Sequence, residues 1–420
     1  MKGNPQILHL STYDEFGGAA RAAQRIMNAQ LSIGIDCTMQ CLVKTGSNSN
    51  VSVPQNVSAE TKLKLVNSYL QYLRNYDSRD STLFSYGDVS AGLVDQINEA
   101  PFDIVNLHWI SNMLSIEDIG KINKTIVWTL HDMWAFCGGE HYVSDEKQLE
   151  NYLLPTKATE NENQVAGQNK NMDAWLKKAQ CWQLKNFILI CPSAWLQSLS
   201  KKSILLSACK THVIPHPLDT TNLWAPFSQT SAREQLNLPT ERKLLLFSTH
   251  NGISDPLKGW DLLMEALHKF FKSAGGKNVD LIVVGNEKPT GDNHFPCRVH
   301  WLGKVNSDAI ISKVYAAADV VLVPSRLEAF SQVCAEAQSC GVPVVAFNSG
   351  GPAEIVLHKH TGWIAKPFNT DEFSEGINWI LENESRYSEL SAASRSEAVN
   401  RYSPAVIAGI YKNIYQEITA

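Results

Sequence analysis

The chain has 420 residues, more than the roughly 250 to 300 at which one hydrophobic core stops growing, so two domains of roughly 200 residues each are expected. Hydrophobic residues make up 44%, enough for two cores, and a net charge of −5 with no basic block excludes an electrostatic case for nucleic acid. The nine cysteines show neither a CxxC pair nor zinc-type spacing and read as reduced core thiols, and no run approaches ~18 consecutive apolar residues.

In chain order, MKGNPQILHL carries no leader pattern, so a cytoplasmic protein is expected. ILHL, CTMQCLV, IVNLH, TIVWTL and FILIC are apolar runs of strand length, and a helical pattern from about Gly18 to Leu31 follows the first. That alternation implies a parallel sheet. Gly17 and Gly18 open the first helix, where backbone without a Cβ can approach a phosphate or sugar, although a lone glycine pair is more often an ordinary tight turn. Arg21 lies one turn in. Between Lys62 and Tyr76, Leu63, Val66, Leu70 and Leu73 share a helical face; a helix packed on the first domain is the simpler reading, and peripheral membrane contact is the alternative.

His131 directly follows TIVWTL and precedes Asp132, and an imidazole on a strand-end loop can donate to a sugar hydroxyl or to developing charge. From Ser144 to Met172 the sequence is polar and loses periodicity, which reads as a long surface excursion. HVIPHPLDTTNLWAPF carries three prolines and no helical period, and a second half opens with KLLLFS.

Late in the chain, SRLEAFSQVCAEAQSCGVPVVAF places Glu328 on a strand-to-helix loop and Glu336 about two turns into the following helix. The first N–H groups of that helix, at Ser331, Gln332 and Val333, suit an anion. A nucleotide diphosphate joined to a sugar would satisfy the helix start, one carboxylate on ribose hydroxyls and the other on the sugar. Taken alone, the pair is more often a solvated helix with two incidental acids.

Four segments in order resemble the retaining nucleotide-sugar glycosyltransferases of family 4: ILHLSTYDEFGGAARAA, TLHDMW, LLLFSTHNGISDPLKGWDLLMEAL, and VHWLGKV with VYAAADVVLVPSRLEAF. Together they run from Ile7 to about Glu354, and the last continues without a gap through GVPVVAFNSGGPAEIV and TGWIA. TLHDMWAFCGGEHY further resembles members that build bacterial exopolysaccharide, capsule or lipopolysaccharide.

The resemblance implies an α/β protein of the GT-B fold, with two Rossmann-like domains whose parallel sheets face an interdomain cleft. Domains of 1–217 with a returning helix at 403–420, and of 218–402, would follow. It implies retaining transfer of a sugar from a nucleotide-diphosphate donor to a hydroxyl of a glycan or lipid-linked saccharide, at the inner face of the cytoplasmic membrane. No cofactor and no metal are implied: Lys258 in DPLKGW resembles the lysine that neutralises the diphosphate, and no DxD pair is present. Glu328 would bond the sugar, Glu336 the ribose, His131 the sugar or developing charge, and backbone around Gly303 to Val305 the base. Asp132, Glu140, His141 and Arg21 are candidates for the acceptor pocket. Many relatives carry an arginine where this chain has Ser248, Thr249, His250 and Asn251, so His250 or Asn251 would fill that space. The missing arginine leaves open a non-catalytic nucleotide-sugar-binding subunit, and a sugar-nucleotide epimerase shares the architecture.

Overall fold

The computed structural model describes residues 5–54, 57, 63, 67, 84–153, 170–249, 252–273, 278–289 and 295–419. Contacts divide the chain into two units, Met1–His216 with Ile407–Ala420, and Pro217–Val406.

Among the described residues the first unit carries strands β1 (Ile7–Tyr13), β2 (Cys37–Val43), β3 (Val51–Ser52), β4 (Ile104–Leu107), β5 (Thr125–Thr129), β6 (Ile188–Cys191) and β7 (Lys210–Val213). They lie in the order β3-β2-β1-β4-β5-β6-β7, and each neighbouring pair is parallel. The second unit carries β8 (Lys243–Ser248), β9 (Val279–Val284), β10 (Val299–Trp301), β11 (Val320–Val323), β12 (Val344–Phe347) and β13 (Gly362–Ala365) in the order β10-β9-β8-β11-β12-β13, again all parallel. Runs such as VDLIVV, VVLV and VVAF are buried along their whole length, as strands covered on both faces require.

In each sheet the strand order reverses once, between β1 and β4 and between β8 and β11. Connections leave to opposite faces at such a point, so a crevice opens beyond the carboxyl ends of the two strands.

The helix Glu384–Tyr402 ends at Ser403, and Pro404 starts a new one because its fixed φ suits a first helical position. That last helix, Pro404–Thr419, sets Ile407, Tyr411, Ile414 and Tyr415 among Ile7, Ile104, Val127 and Ile190 of the first unit. All nine cysteines are free thiols, and burial pushes those of Cys37, Cys41, Cys191 and Cys340 up to about 12.

Two expectations change. The polar stretch from Ser144 contains the helix Glu146–Leu153, which buries Tyr152 and Leu153, while 154–169 lies outside the described residues. The proline-rich connection begins with strand: β7 takes Lys210–Val213, pairing with β6 before Pro215 stops it. The amphipathic segment 62–76 lies outside the described residues apart from 63 and 67.

Lys178, on the helix Lys170–Trp182, is fully buried and was not foreseen. Its Nζ donates to the carbonyls of Trp134 (2.5 Å), Cys137 (2.9 Å) and Gly138 (2.7 Å), and it lies 3.9 Å from the centre of the Trp134 ring. Burial pushes its pKa down to about 7. The turn that carries WAFCGG is thus closed around one amine. Lys178→Met would leave three buried carbonyls unbonded, and urea unfolding should show a stability loss of about 3 kcal/mol; a loss within error would remove this role.

Candidate functional site

In the second unit the site lies where β8 and β11 diverge. Pro324 ends β11, and the loop from Ser325 leads into the helix Gln332–Ser339. Glu328 is buried on that loop, its Oε1 paired with Lys258 Nζ and accepting from Ser325 Oγ at 3.1 Å. Its Oε2 is buried with no hydrogen-bond partner among the described residues. Burial alone would push the Glu328 carboxyl up, but the Lys258 ammonium beside it outweighs burial and holds it below the ordinary carboxylate range. Burial works against the Lys258 charge as well, and Glu328 overrides it, raising that pKa.

Backbone shape makes the pair possible. Lys258 ends a short 3-10 turn, Pro256–Lys258, and Gly259 adopts φ +66°; a Cβ there would sit 2.1 Å from the Pro324 carbonyl oxygen. The lysine loop therefore lies directly on the end of β11. Arg326 holds the contact, donating to both carboxylate oxygens of Asp261 (2.7 and 2.6 Å) and to the Pro256 carbonyl (3.0 Å). On the other side the Gly351 N–H donates to the Glu328 carbonyl at 2.9 Å, and a Cβ on Gly350 would sit 2.3 Å from that same oxygen.

Ser331 caps the helix with φ +94°, a conformation that costs a non-glycine residue energy, and its Oγ accepts from the Cys334 N–H at 3.4 Å. Gln332 and Val333 open the first turn of that helix. Glu336 is buried one face along, and Tyr315 donates to its Oε2 at 3.1 Å. One of the two oxygens expected to serve ribose is thus already engaged. Burial together with Glu336 raises the Tyr315 phenol well above its usual value, so it stays a donor.

Val305 follows the turn at Gly303 (φ +62°) and packs against the core, while the Gly303 carbonyl accepts from the Gly285 N–H at 2.8 Å. That carbonyl is already used. His250 and Asn251 lie outside the described residues. Ser325, Arg326 and the Gly350–Gly351 turn were not foreseen; the signal for the last was the SGGP run, a glycine pair between a strand and a short helix.

In the first unit the crevice falls at β1 and β4. Gly17 starts the helix Gly17–Ser32 with φ +83°, and a Cβ on it would meet no atom within 4 Å, so backbone conformation rather than crowding calls for glycine there. Gly18 is the second residue of that helix. Arg21 Nε points back to the Glu15 carbonyl at 3.4 Å.

His131 stands past β5, with Nε2 3.1 Å from His108 Nδ1 and its ring 5.1 Å from that of His216. Burial pushes its pKa down to about 4, so the ring is neutral near pH 7. Asp132 accepts from the Trp134 N–H (2.9 Å) and from His141 Nδ1 (2.6 Å), and His141 Nε2 lies 2.9 Å from Ser85 Oγ. His108, Trp109, Ser111, His131, Asp132 and His141 border one recess.

Glu140 departs from its expected place in an acceptor pocket. Only 2% exposed, it accepts from Gln148 Nε2 (2.7 Å), Tyr152 OH (2.9 and 3.1 Å) and Asn171 Nδ2 (2.6 Å). Three donors from two helices engage the carboxylate, so it ties those helices to the turn.

Residues 228–397 match the family model described as Glycosyl transferases group 1. The D-inositol 3-phosphate glycosyltransferase of Xylanimonas cellulosilytica is 30% identical over 225 residues, 50% of this chain and 52% of that protein. Its counterpart from Mycolicibacterium smegmatis is 31% identical over 196 residues, 44% and 43% of the two chains. The chain thus spans about half the length of the curated relatives it matches. Solved structures are similar over nearly the whole chain. Sucrose-phosphate synthase from Thermosynechococcus elongatus superposes with a TM-score of 0.63 at 17% identity, covering 99% of each chain. Anabaena HepE in complex with UDP-glucose gives 0.62 at 18%, covering 98% of this chain and 100% of that one. WaaG, a glycosyltransferase involved in lipopolysaccharide biosynthesis, gives 0.63 at 18%, covering 97% and 99%. The protein has the GT-B fold, two Rossmann-like domains each built on a parallel sheet. The family match falls within its second unit.

The ion pair can be tested through stability. Glu328, with a lowered folded-state pKa, stabilises the fold above the ordinary carboxylate value, and that contribution is lost as pH falls below about 4. Lys258, with a raised pKa, contributes below its ordinary value and loses this as pH rises through the folded one. Lys258 is 29% exposed, so Lys258→Met should cost about 2 kcal/mol at pH 7, less than a fully buried pair. The acid-side loss of stability should shrink in the variant; an unchanged profile would show that the pair contributes nothing.

Proposed function

We propose that the protein transfers a sugar from a nucleotide-diphosphate sugar to a hydroxyl of a glycan or lipid-linked saccharide, with retention of anomeric configuration, in the assembly of a surface polysaccharide. The carrying observation is Glu328: a buried, charged carboxylate at the β8–β11 crevice with Oε1 held by Lys258 and Oε2 lacking a donor. A sugar hydroxyl is the chemistry such an oxygen accepts from. HepE, of the same fold, is known with UDP-glucose bound, and WaaG acts in lipopolysaccharide biosynthesis, which supports a nucleotide-sugar donor and a saccharide acceptor.

The residues divide the work. Glu328 keeps Lys258 charged, and a positioned ammonium gains as the departing diphosphate accumulates negative charge. The positive end of the helix Gln332–Ser339 opens beside this loop and would favour the same anion, so the reading needs no divalent metal. Glu336, buried with Tyr315 donating to one of its oxygens, is the carboxylate assigned to the ribose hydroxyls. Among the described residues no helix is long and apolar enough to cross a membrane. Work at the cytoplasmic face on a lipid-linked acceptor therefore calls for peripheral contact.

Thermal unfolding with UDP, GDP, ADP, CMP and dTDP, each with and without magnesium, tests donor binding. One diphosphate should raise the midpoint whether or not metal is added; no shift with any of them would count against the reading. Glu336→Ala should weaken that nucleotide by about 1 to 3 kcal/mol, and unchanged affinity would remove its ribose role. Lys258→Met should lower kcat more than donor affinity, whereas a change confined to KM would contradict leaving-group stabilisation.

A further inference from the structure

Three histidines on neighbouring strands form a line in the first unit. His9 is inside β1, and His108 and His131 stand just past β4 and β5. His9 Nδ1 lies 2.9 Å from His108 Nε2, and His108 Nδ1 lies 3.1 Å from His131 Nε2. At the inner end His9 Nε2 lies 3.0 Å from Gln30 Oε1. Every contact in the line joins two ring nitrogens or a nitrogen and a carbonyl, and each needs one proton between its atoms.

Burial pushes His9 and His131 down to about 4 and His108 well below its ordinary value, so all three rings are neutral near pH 7. A neutral imidazole has one N–H and one lone pair, so the choice made at one ring dictates the next. The Gln30 carbonyl can only accept, so His9 carries its proton on Nε2 and offers Nδ1. His108 must then donate from Nε2 and offer its own Nδ1, and His131 must donate from Nε2.

The direction is anchored far from the strand ends. Gln30 Nε2 donates to the Tyr415 hydroxyl at 3.1 Å, and Asn106 Nδ2 donates to it at 3.2 Å. Asn106 Oδ1 accepts from Thr129 Oγ1 at 3.0 Å. His9, Gln30, Asn106 and Thr129 are fully buried, with Tyr415 only 1% exposed. His131 is half-buried, and its Nδ1 makes no hydrogen bond to a described residue.

We propose that Gln30, His9 and His108 are positioning residues that lock His131 in the Nε2–H tautomer, so that its Nδ1 accepts a hydrogen bond from a carbohydrate hydroxyl. The lock stands on the ring-to-ring geometry and on burial that keeps the rings neutral; the choice of a carbohydrate hydroxyl rests on the glycosyl-transfer reading. It reverses the expectation that His131 donates. A neutral acceptor at this place orients a hydroxyl and leaves developing positive charge undisturbed.

Nitrogen NMR of protein labelled with 15N-histidine, at pH 7.5, reads the tautomer directly. His131 should show a protonated Nε2 and a bare Nδ1, and a proton on Nδ1 would overturn the proposal without any variant being made. Gln30→Met removes the anchoring carbonyl and His108→Phe cuts the line, and in either the His131 tautomer ratio should fall at least about fivefold, the worth of one hydrogen bond. A ratio unchanged in a folded variant would overturn the lock. Hydrolysis of UDP-glucose without acceptor supplies the second arm: kcat should drop about tenfold or more in variants whose tautomer shifts, with little change in KM. Shifted tautomers with undiminished kcat would overturn the acceptor role of Nδ1. Wild-type protein that shows the bare Nδ1 but neither binds nor hydrolyses a nucleotide sugar would sink the glycosyl-transfer reading and leave the lock standing.

Discussion

The second unit turns on one ion pair, Lys258 with Glu328, set at the end of the sheet where its connections part. Two loops with 69 residues of chain between them meet there. Every notable backbone feature around the pair serves that meeting. Gly259 lets one loop lie against Pro324, Arg326 clamps the same loop through Asp261, and the Gly350–Gly351 turn closes over Glu328 from the far side. The result is a carboxylate that is charged although buried, with Oε1 held by Lys258 and Ser325 and Oε2 without a hydrogen-bond partner among the described residues.

The first unit solves a similar problem without charge. Its sheet reverses at β1 and β4, and the groups brought there are imidazoles kept neutral by burial. Polar side chains in that core are joined in a continuous line from Thr129, Asn106 and Tyr415 through Gln30 to the histidines. A buried network of this kind is tolerable only when nearly every member is bonded, and the returning helix supplies Tyr415 to that end. Nearby, Glu140 and Lys178 hold the turn after His131 from two sides, one through hydroxyl and amide donors and the other through carbonyls.

Much of this was legible from residue order. Strands covered on both faces are short apolar runs, so ILHL, IVNL, TIVWT and VVLV stood out, and their spacing with helical stretches implied parallel sheets. Glu328, Lys258 and His131 were visible because each sits immediately beyond such a strand or at a glycine-marked turn. The short edge strand Val51–Ser52 was not, since two residues carry no period, and neither was Lys178, whose partners are carbonyls that any sequence possesses. Glu140 misled for a related reason: a carboxylate six residues past the TLHDMW motif looks like a site residue until Tyr152, Gln148 and Asn171 are seen to occupy it.

The sequence by itself determined what depends on neighbours along the chain: the parallel α/β architecture, the strand-end positions of the chemical residues, and the glycines where backbone must turn left-handed. Only the tertiary structure decided which groups meet across distant segments. That Lys258 charges Glu328, that Tyr315 takes half of Glu336, and that Gln30 sets the proton on His131 through two intervening rings are long-range pairings. Hydrogen bonds and ion pairs act over a few ångströms of space, and separation along the chain says nothing of that distance until the sheets have formed.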